Sequence, residues 1–264
     1  MRFTLISLSA LALAAAAPAM AQETTETEPT PSVTVSGNFG VTSDYRFRGL
    51  SQSHEHVAAQ GTINVNHESG LYVGTWASTI DDVFSLPDYG DYEVDLYGGY
   101  TKTLDSGIGF DVGVLYYLYA AAPELSGGAI NDTDFWEPYA SVNYTMGPAN
   151  VKVGANYAWS GQPGLGGDDS LYLYSNFSVT VPNAPVKLLA HVGRSDGALG
   201  AFNLVATDKT YLDWSVGAET TYKGFTLGLS YVDTDITGKR VLGKRFNNNV
   251  GGDSTILGYL TFAF

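Results

Sequence analysis

The sequence predicts an all-β fold: a single transmembrane antiparallel β-barrel of about twelve strands, with short periplasmic turns and long extracellular loops. Three observations predict it. Hydrophobicity alternates with period two, the connections alternate between short and long, and a secretory leader precedes a chain without cysteine.

The elements follow in order. Arg2 supplies a positive start, an apolar run extends from Phe3 to Ala17, and Ala19-Met20-Ala21 offers small residues where a signal peptidase reads. Residues 1–21 therefore read as a signal peptide cleaved after Ala21. The competing reading, an N-terminal anchor, needs ~20 apolar residues to cross a bilayer, and this run is shorter. Residues 22–32 are polar, acidic and broken by proline, a short disordered leader. The barrel is expected over 33–264.

Period-two alternation then recurs. Ile108, Phe110, Val112, Val114, Tyr116 and Leu118 share one face, with Asp111 and Gly113 on the other. Val151, Val153, Ala155, Tyr157 and Trp159 oppose Lys152, Gly154 and Asn156. The same template predicts strands near 33–42, 57–67, 71–79, 91–103, 108–119, 134–146, 149–160, 169–181, 185–193, 210–222, 224–233 and 254–264. The short connections are 68–70, 104–107, 146–148, 182–185 and 223–224. The long ones are 43–56, 80–90, 120–133, 161–168, 194–209 and 234–253. Strict alternation puts both termini on the short-turn side, as in an outer-membrane barrel.

Composition excludes several classes. The 264 residues carry 13 Lys+Arg against 27 Asp+Glu, a net charge of −14, which argues against a nucleic-acid partner. Zero cysteines remove disulfide scaffolds, thiolate metal sites, thiol catalysis and lipoprotein anchoring. No cofactor is implied.

A soluble β-sandwich also alternates, but its apolar face points into a shared core. Here the polar face is rich in Gly, Ser, Thr, Asn and Tyr rather than Lys and Glu. Aromatic residues cluster near strand ends: Tyr45, Phe47, Trp76, Tyr92, Tyr100, Trp136, Tyr144, Trp159, Trp214, Tyr222 and Tyr231. Such rings suit the headgroup level. The last strand ends on Phe264, resembling the signal by which outer-membrane barrels are recognised for assembly.

Residues Ser43-Asp44-Tyr45-Arg46-Phe47-Arg48-Gly49, followed by Ser51-Gln52, resemble the N-terminal signature of the TorF-type porins, proteobacterial outer-membrane proteins long described only as conserved hypotheticals. His67–Ser78 and Glu93–Tyr100 extend the likeness, which runs from about residue 33 to the end. The resemblance implies a barrel in the outer membrane of a Gram-negative bacterium and a role as a porin, and it brings no established binding residues.

Extending the first strand places Asp44, Arg46 and Arg48 toward the lumen, with Tyr45 and Phe47 outside. Glu93, Asp95, Asp111, Glu137, Asp213 and Glu219 are expected to face them, together with Lys152, Lys187 and His191. These residues make either a charged constriction or a set of structural ion pairs filling a narrow barrel. Seven carboxylates against four permanent bases predict a mild preference for cations. His54-Glu55-His56 lacks a third nearby ligand and reads as solvated loop rather than a metal site. Asp81-Asp82, Asp168-Asp169, Asp233 and Asp235 form an acidic external surface that could meet the cations bridging lipopolysaccharide phosphates. The expected partners are outer-membrane lipid and lipopolysaccharide, the barrel-assembly machinery and small hydrophilic solutes. Passive diffusion of such solutes is the expected role. A non-conducting structural or adhesive barrel competes with it, as does a hydrolase, for which His54, His56, Asp81, Asp82 and His191 are candidates in no recognisable motif.

Overall fold

A computed structural model describes residues 32–81, 89–119, 133–165, 167–200, 209–236, 240–241, 244–245 and 251–264. The expected signal peptide, the leader up to residue 31 and Asp82 lie outside the described residues.

Twelve strands form one closed barrel. They are β1 (Val33–Thr42), β2 (Ala58–His67), β3 (Leu71–Thr79), β4 (Tyr92–Thr103), β5 (Ile108–Tyr119) and β6 (Phe135–Met146). They continue as β7 (Ala149–Ala158), β8 (Ser170–Thr180), β9 (Lys187–Gly197), β10 (Thr210–Tyr222), β11 (Phe225–Thr234) and β12 (Thr255–Ala263). Each strand pairs antiparallel with its sequence neighbours, and β12 closes on β1 from Asn38↔Ala263 to Thr42↔Tyr259. Phe264 extends this seam: its N–H donates to the Gly37 carbonyl at 3.0 Å and its carbonyl accepts from the Gly37 N–H at 3.1 Å. Closure leaves no unpaired edge, the condition for backbone to lie in hydrocarbon.

The alternation sorts side chains between two environments. On the outer face Val35, Leu229 and Ile256 are 66%, 59% and 71% exposed, with Val73, Val112, Val216 and Leu227 beside them in the same class. An apolar surface girdling the whole molecule far exceeds the few hundred Å² a soluble monomer tolerates. Outside, the barrel therefore suits lipid and not water. Outward aromatics mark both ends of this band: Tyr92, Trp136, Trp159 and Tyr231 toward the long loops, Tyr100, Tyr144 and Tyr222 toward the short turns. Tyr45, Phe47 and Trp76 depart from the expected girdle. They are 1%, 6% and 8% exposed and lie inside the barrel.

Inward glycines shape the wall. A Cβ on Gly74 would lie 2.5 Å from the Tyr97 ring, one on Gly113 within 2.6 Å of Tyr139, one on Gly154 within 2.5 Å of Tyr174, and one on Gly228 within 2.1 Å of Tyr259. Each tyrosine therefore lies across a bare backbone on the adjacent strand, covering it with ring area. The Lys223-Gly224 turn between β10 and β11 has φ of 48° and 84°, the paired positive values of a two-residue hairpin.

Three features extend beyond the expected strands. β9 continues to Gly197, because Arg194, Ser195 and Asp196 keep pairing with β10 above the apolar band. Two short hairpins sit within long connections, Arg46–Phe47 with Leu50–Ser51 and Arg240–Val241 with Lys244–Arg245.

Candidate functional site: an occupied lumen

Strand β1 ends at Thr42, and the chain then turns inward rather than continuing the wall. This corrects the expectation that Tyr45 and Phe47 face outward. Residues 44–53 are all buried, and at Gly49 the neighbours fill the space where a side chain would lie. Alternation persisted through this segment because both its faces are covered, one by the wall and one by its own fold.

The Asp44 carboxylate organises the hairpin. It accepts from Arg46 Nε at 2.5 Å, Ser51 Oγ at 2.6 Å and Ser53 Oγ at 3.0 Å. Arg46 also donates to the carbonyls of Gly49, Gly251 and Asp253, tying the hairpin to the segment before β12. The Tyr45 ring packs on Trp76 of β3 at 5.2 Å, and Phe47 meets Tyr117 of β5 edge-on at 5.8 Å. The turn itself is Arg48-Gly49, with φ of 50° and 83°. For arginine that left-handed conformation costs about 1–2 kcal/mol. At Gly49 a Cβ would come within 2.6 Å of Thr234 Cγ2 and 2.8 Å of Asp213 Cβ, so glycine serves both the turn and the close approach.

Arg48 then reaches across to the wall. One guanidinium nitrogen donates to Glu137 Oε1 at 2.6 Å, and the guanidinium carbon lies 4.4 Å over the Tyr172 ring and 4.6 Å over Phe47. Its carbonyl accepts from Tyr211 Oη at 2.8 Å. Glu137 Oε2 accepts from Tyr117 Oη at 3.0 Å and Asn156 Nδ2 at 2.9 Å. Burial alone would weaken the hold of Arg48 on its proton, but the Glu137 carboxylate outweighs it and the pKa rises above the ordinary arginine value. Tyr45 is pushed up by burial, reinforced by the nearby charges of Glu93 and Asp95. The hairpin thus touches β3, β5, β6, β8, β10 and β11, crossing the lumen near the long-loop end.

Below it the wall charges pair off. Lys152 lies 3.8 Å from Asp111, which also accepts from Tyr72 Oη at 2.6 Å; Tyr72 meets Tyr139 hydroxyl to hydroxyl. Lys187 lies 3.4 Å from Glu219, which accepts from Tyr259 Oη at 2.8 Å. His191 lies 3.0 Å from Asp213 and 2.5 Å from Asn176 Oδ1. Arg46, Arg48, Lys152 and Lys187 pair with Asp44, Glu137, Asp111 and Glu219, and His191 faces Asp213. All twelve sequence-predicted lumen residues are thus inside the barrel, but Asp44, Arg46 and Arg48 belong to the hairpin and not to the wall. Sequence reasoning missed Tyr117, Asn156, Tyr172 and Tyr211. Their available signal was a tyrosine or asparagine on the polar face of its strand.

The loop candidates adjoin this network at its rim, where Arg46 lies 3.5 Å from Glu55, Ser53 Oγ donates to the His56 carbonyl and the Asp81 N–H donates to the Gln52 carbonyl. His54 and His56 are exposed with rings 5.6 Å apart, and no group of three metal-binding side chains occurs among the described residues. Asp168 pairs with Lys209, while Asp169, Asp233 and Asp235 accept local hydrogen bonds from Tyr157, Tyr231 and the Leu212 N–H.

A family model described as "bacterial protein of unknown function (Gcw_chp)" matches residues 26–264. The chain belongs to the Gcw_chp family. No curated protein matches its sequence. Among solved structures, a NanC porin is 14% identical with a TM-score of 0.55, the alignment covering 88% of this chain and 99% of that one. The Salmonella typhi OmpF complex with daunomycin is 10% identical, with a TM-score of 0.44 and coverage of 88% and 97%. Pseudomonas aeruginosa OpdO is 9% identical, with a TM-score of 0.42 and coverage of 90% and 66%. The NanC likeness supports the barrel fold of this Gcw_chp chain; at these identities it extends no further.

Proposed function

We propose that this Gcw_chp protein is an outer-membrane channel for passive diffusion of small hydrophilic solutes, mildly preferring cations. The observation that carries it is a closed barrel with an apolar exterior and a charged interior. The excess of lumen carboxylates over permanent bases, seven to four, supports the preference, since fixed negative charge raises the local cation concentration. On this reading residues 1–21 are removed at export, the short turns face the periplasm and the long loops face outward. Phe264, at the seam, serves as the assembly signal, and loop aspartates meet lipopolysaccharide through divalent cations. The likeness to TorF-type porins agrees with this assignment. We assign it no catalytic role.

The hairpin favours a second reading, a non-conducting structural barrel, because it occupies the space a solute would use. Planar-bilayer recording under a KCl gradient separates the two. A reversal potential of cation-selective sign supports the channel; an anion-selective sign rejects the preference. A sealed membrane at all voltages, with no solute-dependent swelling of loaded liposomes, supports the structural barrel.

A further inference from the structure

The place where Arg48 docks has the makings of a receptor site. Glu137 is fully buried and held by two wall residues: Tyr117 and Asn156 both donate to Oε2, leaving Oε1 aimed into the lumen. The face of Tyr172 stands beside that oxygen. A buried carboxylate with one oxygen free, next to an aromatic face, matches a planar cation: one edge donates a charge-assisted hydrogen bond and one face stacks. In the structure the cation is the chain's own Arg48.

Its fit is incomplete. Arg48 Nε and Nη1 make no hydrogen bond although both are buried, and its backbone sits in the left-handed region at φ 50°. Unsatisfied buried donors and backbone strain both oppose the docked state. A free ligand with the same head group carries neither the strain nor the tether. Phe47, which covers the guanidinium's other neighbour position, departs with the hairpin and widens the site.

We propose that Glu137, Tyr172, Tyr117 and Asn156 form a binding site for solutes bearing a guanidinium group, and that Arg48 is an internal occupant which such a solute displaces. Displacement frees the hairpin from the wall, so the solute that binds also opens its own path. This last step rests on the channel reading; binding itself does not.

The test uses the full mature protein in detergent and in planar bilayers, with methylguanidinium as probe and sodium at equal ionic strength as control. Arg48→Ala should bind methylguanidinium saturably, read as a rise in the unfolding midpoint. The double variant Arg48→Ala/Glu137→Gln should lose about tenfold or more in affinity, the equivalent of one charge-assisted hydrogen bond. Equal binding by both variants, or none by Arg48→Ala, overturns the proposal. Should Arg48→Ala not fold, the wild-type protein decides: methylguanidinium must raise its current, or its hairpin's protease accessibility, above the sodium control, and no difference overturns it. Binding without current in any variant leaves the site standing and defeats the channel. Current without discrimination between methylguanidinium and sodium leaves the channel standing and defeats the site.

Discussion

At Glu137 one carboxylate oxygen belongs to the wall and the other to the hairpin, so wall and occupant meet in a single buried charge. Removing one partner of such a pair costs about 3–5 kcal/mol when the other must remain buried. Arg48 need not remain, because it sits on a loop that can withdraw to water. Glu137→Gln should therefore lose less than that, and show the loss as exposure of the hairpin. Trypsin cleavage after Arg46 or Arg48, absent in the wild type, is the expected outcome. Resistance equal to wild type would mean that Glu137 does not hold the hairpin. The sequence displayed every charged member of this network but not its arrangement. Tyr45 to Arg48 alternate as a strand would, and alternation cannot tell a wall from a segment folded inside it. The Arg48-Gly49 step was the one local sign of a turn, since a glycine can accept a positive φ flanked by residues able to pair.

Strand positions were legible because lipid imposes a strict rule on every outward side chain along the apolar band. Above that band the rule lapses, which is why Arg194–Gly197 continue β9 without an apolar signal. The tyrosine-over-glycine contacts were not legible, since they depend on register across strands and not on spacing within one. They carry a differential prediction. Gly113→Ala puts a methyl group within 2.6 Å of the Tyr139 hydroxyl and the Gly98 carbonyl. Overpacking of this kind costs about 1–3 kcal/mol. Gly61→Ala meets only ordinary contacts at 3.5 Å or beyond and should stay within about 0.5 kcal/mol of wild type. Thermal unfolding in detergent, followed by circular dichroism, compares the two; equal losses would show that the rings do not press on the glycine backbone.

For the whole molecule, the outward apolar face sets where the barrel can reside. Val216, at mid-strand in β10 and 56% exposed, faces that surroundings directly. Val216→Arg should cost about 2–4 kcal/mol if its neighbourhood is the middle of a bilayer. Measured by unfolding in lipid vesicles, a neutral effect would place this face in water instead. Fold and closure followed from the alternation of strands and connections, while the content of the lumen did not, because a hairpin from one long loop leaves no mark on the strand pattern. What remains most exposed to test is that this hairpin governs passage through the barrel. The chain has no cysteine, so Tyr45→Cys/Trp76→Cys introduces one unambiguous pair between the hairpin and β3, where the two native rings meet at 5.2 Å, joined by oxidation directly or through a short bis-methanethiosulfonate. Planar-bilayer current through this variant, recorded oxidised and then reduced, should be low while the disulfide ties the hairpin to the wall and rise several-fold once it is broken. Identical current in both states, or none in either, would contradict the account.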